Sequence, residues 1–322
     1  MVINGLNIEN KAVLAPMAGF CDIVMRKAAD YFDAGFTVSE MVSARALCFG
    51  DKRSHQLMES FDRRHPYGIQ LFGFEPQDFV SATKQVLEHR PDFIDINMGC
   101  PAPKIVSNGS GSALMKTPEI AAQIARTVVE NASGVPVSVK MRKGWDDDCV
   151  TAVELAKRCE AAGVSFITVH GRTRRQMYTP GIDMNIIKQV KQAVNIPVFG
   201  NGDISCPQDA INMLDYTGCD GIMIGREALS RPWIFRQVNE ALGGKPVSED
   251  LTIHQRMQLM MWHIEQLCEV NGEYLGMKKS RGQAALYMKG LRGAAHLRYL
   301  TNSLSTLADA QNLVNEVLKE NV

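Results

Sequence analysis

The strongest constraint in this sequence is a unit that recurs eight times: a short apolar run that stops at a polar residue or a glycine and gives way to helical spacing. The runs are Ala12 to Ala15, Phe36 to Ser39, Gly68 to Phe72, Phe93 to Asn97, Val137 to Met141, Phe166 to His170, Val198 to Asn201 and Gly221 to Gly225. Helical patterns over Pro76 to Glu88, Pro118 to Asn131, Thr151 to Ala162, Asn185 to Ala193 and Cys206 to Asp215 separate most of them. Asp22 is placed to cap a helix after the first run, and the second unit has a poorly defined helix. Near-continuous apolar strands that alternate with helices imply parallel strands covered on both faces. Eight units in about 240 residues predict a (β/α)8 TIM barrel, for which about 250 residues is typical. A doubly wound open sheet is the alternative, but the turn after the first run lacks the G-x-G-x-x-G fingerprint.

The pattern changes near Gly243-Gly244-Lys245-Pro246. From His254 onward only helical spacing remains, as in Met257, Met260, Met261, Ile264 and Leu267. The expected division is a barrel domain over residues 1–242 and a small helical-bundle domain over 243–322. The methionine stripe reads as core packing, Asp146-Asp147-Asp148 as a solvated loop, and His263 and His296 have no partner at ligand spacing.

Composition bounds the function. The formal net charge is zero, so a nucleic-acid partner would have to rely on a local basic patch. No apolar run approaches the roughly 18 residues of a membrane span, and the first residues lack a basic segment followed by an apolar one. The expectation is a cytoplasmic protein with no membrane partner. Eight scattered cysteines without a C-x-x-C pair argue for reduced thiols and against a metal site. With no heptad or exposed repeat, the expected state is a monomer.

In a barrel the strand ends converge on one mouth, where sites are built. Here those ends carry Pro16-Met17, Glu40, Gln70, Asn97 with Cys100, Lys140 with Arg142, His170 with Arg172, Asn201, and Gly225-Arg226. After the seventh and eighth strands, Gly200-Asn201-Gly202-Asp203 and Ile224-Gly225-Arg226 offer backbone amides at the recurrent phosphate position of barrels, with Arg226 adding charge. Lys140 and His170 end adjacent strands and can face one ligand. A lysine there suits the negative charge of a reduced flavin, with Gln70 at the ring edge and Pro16 and Met17 as apolar backing. Cys100 fits a proton donor, since an ordinary thiol has a pKa near 8.5 and stays protonated at neutral pH. A nucleophile would need an activating base or cation, and the sequence leaves both roles open. The glycine-rich segment Asn108 to Ser112 that follows reads as a mobile loop.

Ala15-Pro16-Met17-Ala18-Gly19, Asn97-Met98-Gly99-Cys100-Pro101, Val139-Lys140-Met141-Arg142-Lys143-Gly144-Trp145, His170-Gly171-Arg172-Thr173, Asn201-Gly202-Asp203-Ile204 and Ile224-Gly225-Arg226 occur in this order along the chain. In these motifs the sequence resembles the tRNA-dihydrouridine synthases, most of all the bacterial B-type members. The resemblance implies an FMN enzyme, with NADPH as reductant, that reduces uridine in tRNA to 5,6-dihydrouridine. It implies Cys100 as the general acid to uracil C5, with hydride reaching C6. It further implies Asn97, Arg142 and Tyr178 around the uracil; Gln70, Lys140 and His170 on the flavin; and Asn201, Gly202, Asp203, Gly225 and Arg226 on the phosphate side. The helical domain would hold tRNA through a basic segment containing Lys278, Lys279, Arg281 and Lys289, together with Arg292 and Arg298. B-type relatives often carry Arg-Lys-His and then Trp-Tyr in this segment, where this chain has Arg281-Gly282-Gln283 and Leu286-Tyr287. The competing functions are an FMN oxidoreductase of the dihydroorotate-dehydrogenase type acting on a free pyrimidine, and a tRNA-binding chaperone without chemistry.

Overall fold

A computed structural model describes residues 1–322. Eight parallel strands form the sheet: β1 (Ala12–Leu14), β2 (Thr37–Val38), β3 (Tyr67–Phe72), β4 (Phe93–Met98), β5 (Val137–Gly144), β6 (Phe166–Thr173), β7 (Val198–Asn201) and β8 (Gly221–Ile224). Each pairs with its sequence neighbour from β2 through β8, and β8 pairs with β1. The Leu14 N–H donates to the Phe36 carbonyl at 3.1 Å and the Gly35 N–H to the Ala12 carbonyl at 2.8 Å. These two bonds join β1 to the chain entering β2 and close the barrel, which excludes the open sheet. Outer helices include Ile23–Tyr31, Pro76–Glu88, Pro118–Asn131, Ala152–Ala161, Met184–Ala193 and Pro207–Thr217. Asp22 caps the first of them, its Oδ1 accepting from the N–H groups of Val24 and Met25 at 3.0 Å.

The second unit is less regular than the sequence suggests. Its strand stops at Val38, and a further short strand, Val42–Ser43, pairs with β3 beyond the break. The Ser39 hydroxyl fills the gap by accepting the Gln70 N–H at 3.0 Å. Two short helices, Ala44–Cys48 and Lys52–Leu57, replace the single outer helix. The segment Asn108 to Ser112, expected to be a mobile loop, is one only in its first part: Asn108 and Gly109 form a turn, while Gly111 and Ser112 begin a 3-10 helix, Gly111–Lys116, and Ser110 through Met115 are buried.

The barrel interior begins with a layer of phenylalanines. Phe36, Phe93, Phe166 and Phe199 meet with ring centroids 5.0–5.7 Å apart. Below them the antiparallel hairpin of Val2–Ile3 and Leu6–Asn7 inserts Ile3, Leu6 and Ile8 into the same core. Two of the rings have room only because a glycine faces them. Gly68 is level with Phe93 and Gly221 with Phe199, and a Cβ would lie 2.3 Å and 2.4 Å from those rings.

From Ile253 the chain is helical: Ile253–Asn271, Glu273–Tyr287, Ala294–Thr301 and Leu307–Asn321. Their core contains Met257, Met260, Ile264, Met277, Tyr287, Leu313 and Val317, and takes in Phe32 and Trp233 from the barrel side. His263 is buried there with Nδ1 3.3 Å from the Tyr287 hydroxyl, and burial lowers its pKa to about 4, so it is a neutral core residue. His296 pairs with Glu316 on the surface. The helix Glu273–Tyr287 and the turn after it are fastened above the barrel mouth, where Gln283 Nε2 donates to the Leu229 carbonyl at 2.7 Å and Lys289 Nζ to Glu227 at 2.7 Å.

The packing predicts opposite signs for two glycine substitutions. Gly68→Ala forces a methyl into the Phe93 ring and is expected to cost about 1–3 kcal/mol. Gly282→Ala, exposed in a helix interior with open space around its Cβ, is expected to stabilise by about 0.5–1 kcal/mol. Urea unfolding of both variants measures the two shifts.

Candidate active site

The strand register decides which side chains meet. On β4 the odd residues point inward, so Phe93, Asp95 and Asn97 form successive levels from floor to mouth; Asn97 is level with Lys140, and His170 with both Arg142 and Asn201. Above them opens a cavity of about 1080 Å³. Its walls include Pro16, Met17, Gln70, Asn97, Cys100, Lys140, Arg142, His170, Tyr178, Asn201, Gly202, Asp203, Gly225 and Arg226. The barrel thus gathers every strand-end candidate named from the sequence except Glu40. Leu286 and Lys289 of the helical segment complete one side. A second cavity, about 840 Å³ between the helices Ile23–Tyr31 and Ile253–Asn271, contains none of them.

Cys100 is held by its backbone. Asn97 Oδ1 accepts the N–H groups of Gly99 at 3.1 Å and Cys100 at 2.9 Å, which folds the chain back over the end of β4. The Cys100 carbonyl in turn accepts from the Ser112 N–H at 3.0 Å and hydroxyl at 2.9 Å. The packed end of the glycine-rich segment therefore ties down the backbone of the cysteine. Burial raises the thiol above its ordinary range, against smaller opposing effects from the Ala102 N–H and the charges of Arg142 and Lys140. At neutral pH it carries its proton.

Below the cysteine, Asn97 Nδ2 donates to Gln70 Oε1 at 2.8 Å, and Gln70 Nε2 donates to Asp95 at 2.6 Å. Gln70 is buried, and its amide is engaged on both sides. Lys140 Nζ donates to Asn201 Oδ1 at 3.0 Å, and Asn201 Nδ2 to the Met223 carbonyl at 2.8 Å. Burial, then the charge of Arg142, lowers Lys140 to about 8. His170 is held well below the ordinary histidine range by burial and by the charges of Lys140, Arg142, Arg172 and Arg226, so it is neutral.

Arg172 is 1 % exposed and clamps the loop after β7. Its Nη2 reaches both Asp203 oxygens, at 2.6 and 2.5 Å, while Arg226 approaches the same carboxylate at 3.4 Å. Asp203 takes a left-handed φ of 48°, which this ion pair holds in place. Gly202 before it has φ of 131°, a region open to glycine, and a Cβ there would meet Ile182 at 2.6 Å. The backbone N–H groups of Gly202, Asp203 and Gly225 have no acceptor within the chain. Arg142 donates to the carbonyls of Gly99, Thr173 and Met177 at 2.8–3.1 Å. Half-exposed Tyr178 lies beside the guanidiniums of Arg142 and Arg226, at 5.8 and 5.1 Å.

The basic residues of the helical segment separate. Lys289 reaches the cavity. Lys278 stands over the exposed Tyr274 ring and bonds its hydroxyl, and Lys279 bonds Asn271. Arg281 donates to the Leu304 carbonyl at 2.9 Å and ties its helix to the turn between Ala294–Thr301 and Leu307–Asn321. The sequence had offered Arg172 only as a strand end and had not singled out Asp95 or Glu227. A lone acidic residue inside an otherwise apolar strand was the available signal for Asp95.

A family model described as dihydrouridine synthase matches residues 13–322. The chain is 38% identical over 319 residues to tRNA-dihydrouridine synthase B of Vibrio vulnificus, covering 99% of this chain and 98% of that protein. It is also 38% identical over 304 residues to a probable tRNA-dihydrouridine synthase of Rickettsia conorii, covering 94% and 92%. Among solved structures, morphinone reductase aligns with a TM-score of 0.54 at 12% identity, covering 77% of this chain and 90% of that one. The old yellow enzyme homologue of Zymomonas mobilis aligns with a TM-score of 0.52 at 12% identity, covering 78% and 93%. These structures share the barrel fold. Sequence and length together establish that the chain belongs to the dihydrouridine synthase family.

Proposed function

We propose that this protein reduces uridine in tRNA to 5,6-dihydrouridine, with flavin mononucleotide as cofactor and NADPH as reductant. The observation that carries the reading is one mouth that combines a protonated thiol, a buried ammonium and unpaired backbone amides. The residues fit flavin mononucleotide. The free N–H groups of Gly202, Asp203 and Gly225, with Arg226 beside them, suit its phosphate, and Pro16 and Met17 offer an apolar wall. Asn201 orients Lys140, whose remaining N–H donors would face the ring, with Gln70 and neutral His170 on the same ligand. When bound, the reduced cofactor supplies a hydride to uracil C6.

The chain's own residues do the rest. Asn97, Arg142 and Tyr178 would enclose the uracil, Arg142 using the Nη2 that its three carbonyl bonds leave free. Cys100 gives its thiol proton to C5, completing the saturated C5–C6 bond, and the thiolate regains a proton from water. An acid needs its proton before the reaction, and burial keeps it there. A uridine in folded tRNA must leave its stack, at a cost of a few kcal/mol. The division into a catalytic unit over 1–242 and a tRNA-holding unit over 243–322 supplies contacts that offset this cost, with Lys278, Lys279 and Lys289 on the RNA side and Arg281 as a brace that also lies in the basic segment.

Purified protein is expected to be yellow, to oxidise NADPH, and to form dihydrouridine in tRNA from a strain lacking its synthases. In Cys100→Ala, dihydrouridine formation should fall at least about 100-fold while flavin content and tRNA binding persist. Equal modification by both proteins would overturn the acid assignment, and reduction of a free pyrimidine without tRNA modification would overturn the substrate.

Lys140 gives a pH prediction. Its ammonium is present below about pH 8 and lost above it, so affinity for flavin mononucleotide should fall as pH rises through that value. Fluorescence titration checks the step, and Lys140→Met should bind more weakly with no step there.

A further inference from the structure

Beneath the mouth, a carboxylate with no place in the chemistry above terminates a chain of amides that runs to the cysteine. Asp95 is 4 % exposed. It accepts from the Ser138 hydroxyl at 2.6 Å and from Gln70 Nε2 at 2.6 Å. Gln70 Oε1 accepts from Asn97 Nδ2 at 2.8 Å, and Asn97 Oδ1 accepts the backbone N–H groups of Gly99 and Cys100. We propose that Asp95 is a positioning residue for Cys100: its carboxylate sets the polarity of the Gln70 and Asn97 amides, and through them the placement of the thiol over the cavity.

The argument is one of donors and acceptors. An ionised carboxylate only accepts, so Gln70 must turn its NH2 toward Asp95 and its carbonyl toward Asn97. Asn97 must then present its NH2 to Gln70, which leaves its carbonyl as the acceptor for the two turn N–H groups. Reversing one amide puts donor against donor, or acceptor against acceptor, in a buried site where an unpaired group is costly. A protonated Asp95 removes the constraint, because it can donate to a reversed Gln70. Three groups face the carboxyl: Gln70 from β3, Ser138 from β5, and the charged Lys140 from β5, which favours ionisation. Burial outweighs them and raises Asp95 to about 6. The relay is thus polarised at neutral pH and loses its fixed sense in mild acid.

This rests on Cys100 as the acid, and two readouts keep the ideas separable. The first is the pH dependence of tRNA reduction. Wild type should lose kcat below about pH 6. Asp95→Asn can donate to a reversed Gln70 as the protonated acid does, so at pH 7.5 its kcat should already lie about tenfold below wild type, and it should lack that acidic limb. The second needs neither cofactor nor tRNA: the rate of Cys100 alkylation by iodoacetamide at pH 8, read by mass spectrometry with exposed Cys48 as the internal reference. Asp95→Asn and Asp95→Leu, neither of which fixes the sense of the amides, should both differ from wild type by about fivefold or more. An acidic limb that survives in Asp95→Asn would overturn the proposal, as would a folded Asp95→Leu with unchanged Cys100 alkylation. If Asp95→Leu does not fold, the pH profile of Asp95→Asn decides. Dihydrouridine formation by Cys100→Ala would sink the acid role alone and leave the alkylation result standing.

Discussion

Closure of the sheet is the constraint on which the remaining structure depends. Two backbone hydrogen bonds join β1 to the entry of β2, and with them eight parallel strands must end at a single opening. Side chains more than a hundred residues apart, such as Pro16 and Asn201, then share one cavity. The floor makes this possible. Phenylalanines from three strands and from the residue just before β2 fill the lower barrel, glycines at 68 and 221 give two of them room, and the hairpin seals the base. Polar residues can therefore occupy the upper levels without weakening the part that holds the barrel together.

At those upper levels positive charge is in excess. Lys140, Arg142, Arg172 and Arg226 all face the mouth, while Asp203 is tied to two of the arginines and Asp95 lies deeper. Burial first, and this excess after it, hold His170 neutral and lower Lys140 to about 8. A site of this kind is poorly satisfied by itself and well satisfied by an anion, since burying like charges costs energy that a bound negative group returns. It holds the thiol by hydrogen bonds to its backbone, which leaves the sulfur free for chemistry.

Much of this was legible in the sequence because it is periodic. Apolar runs at regular spacing located all eight strands and the main outer helices, and strand-end polarity located the mouth. What escaped were features that depend on contacts between distant residues. The Ser39 hydroxyl stands in for a missing strand bond, so β2 breaks where its composition does not. Arg172 finds Asp203 across the loop after β7, a pairing without a sequence spacing. Arg281 resembles a surface cation in sequence and is spent on the Leu304 carbonyl. The segment Asn108 to Ser112 looked pliable because it is rich in small residues, yet its end is buried and Ser112 bonds the Cys100 carbonyl.

The shared core of the helical bundle has a mechanical consequence. Phe32 and Trp233 belong to the bundle's interior as much as to the barrel's exterior, so the four helices lack a complete hydrophobic surface of their own. Gln283 and Lys289 add fixed tethers to the rim. Moving the bundle off the barrel would bare Phe32 and Trp233 to water and break both tethers, so hinge motion at this seam carries a hydrophobic cost.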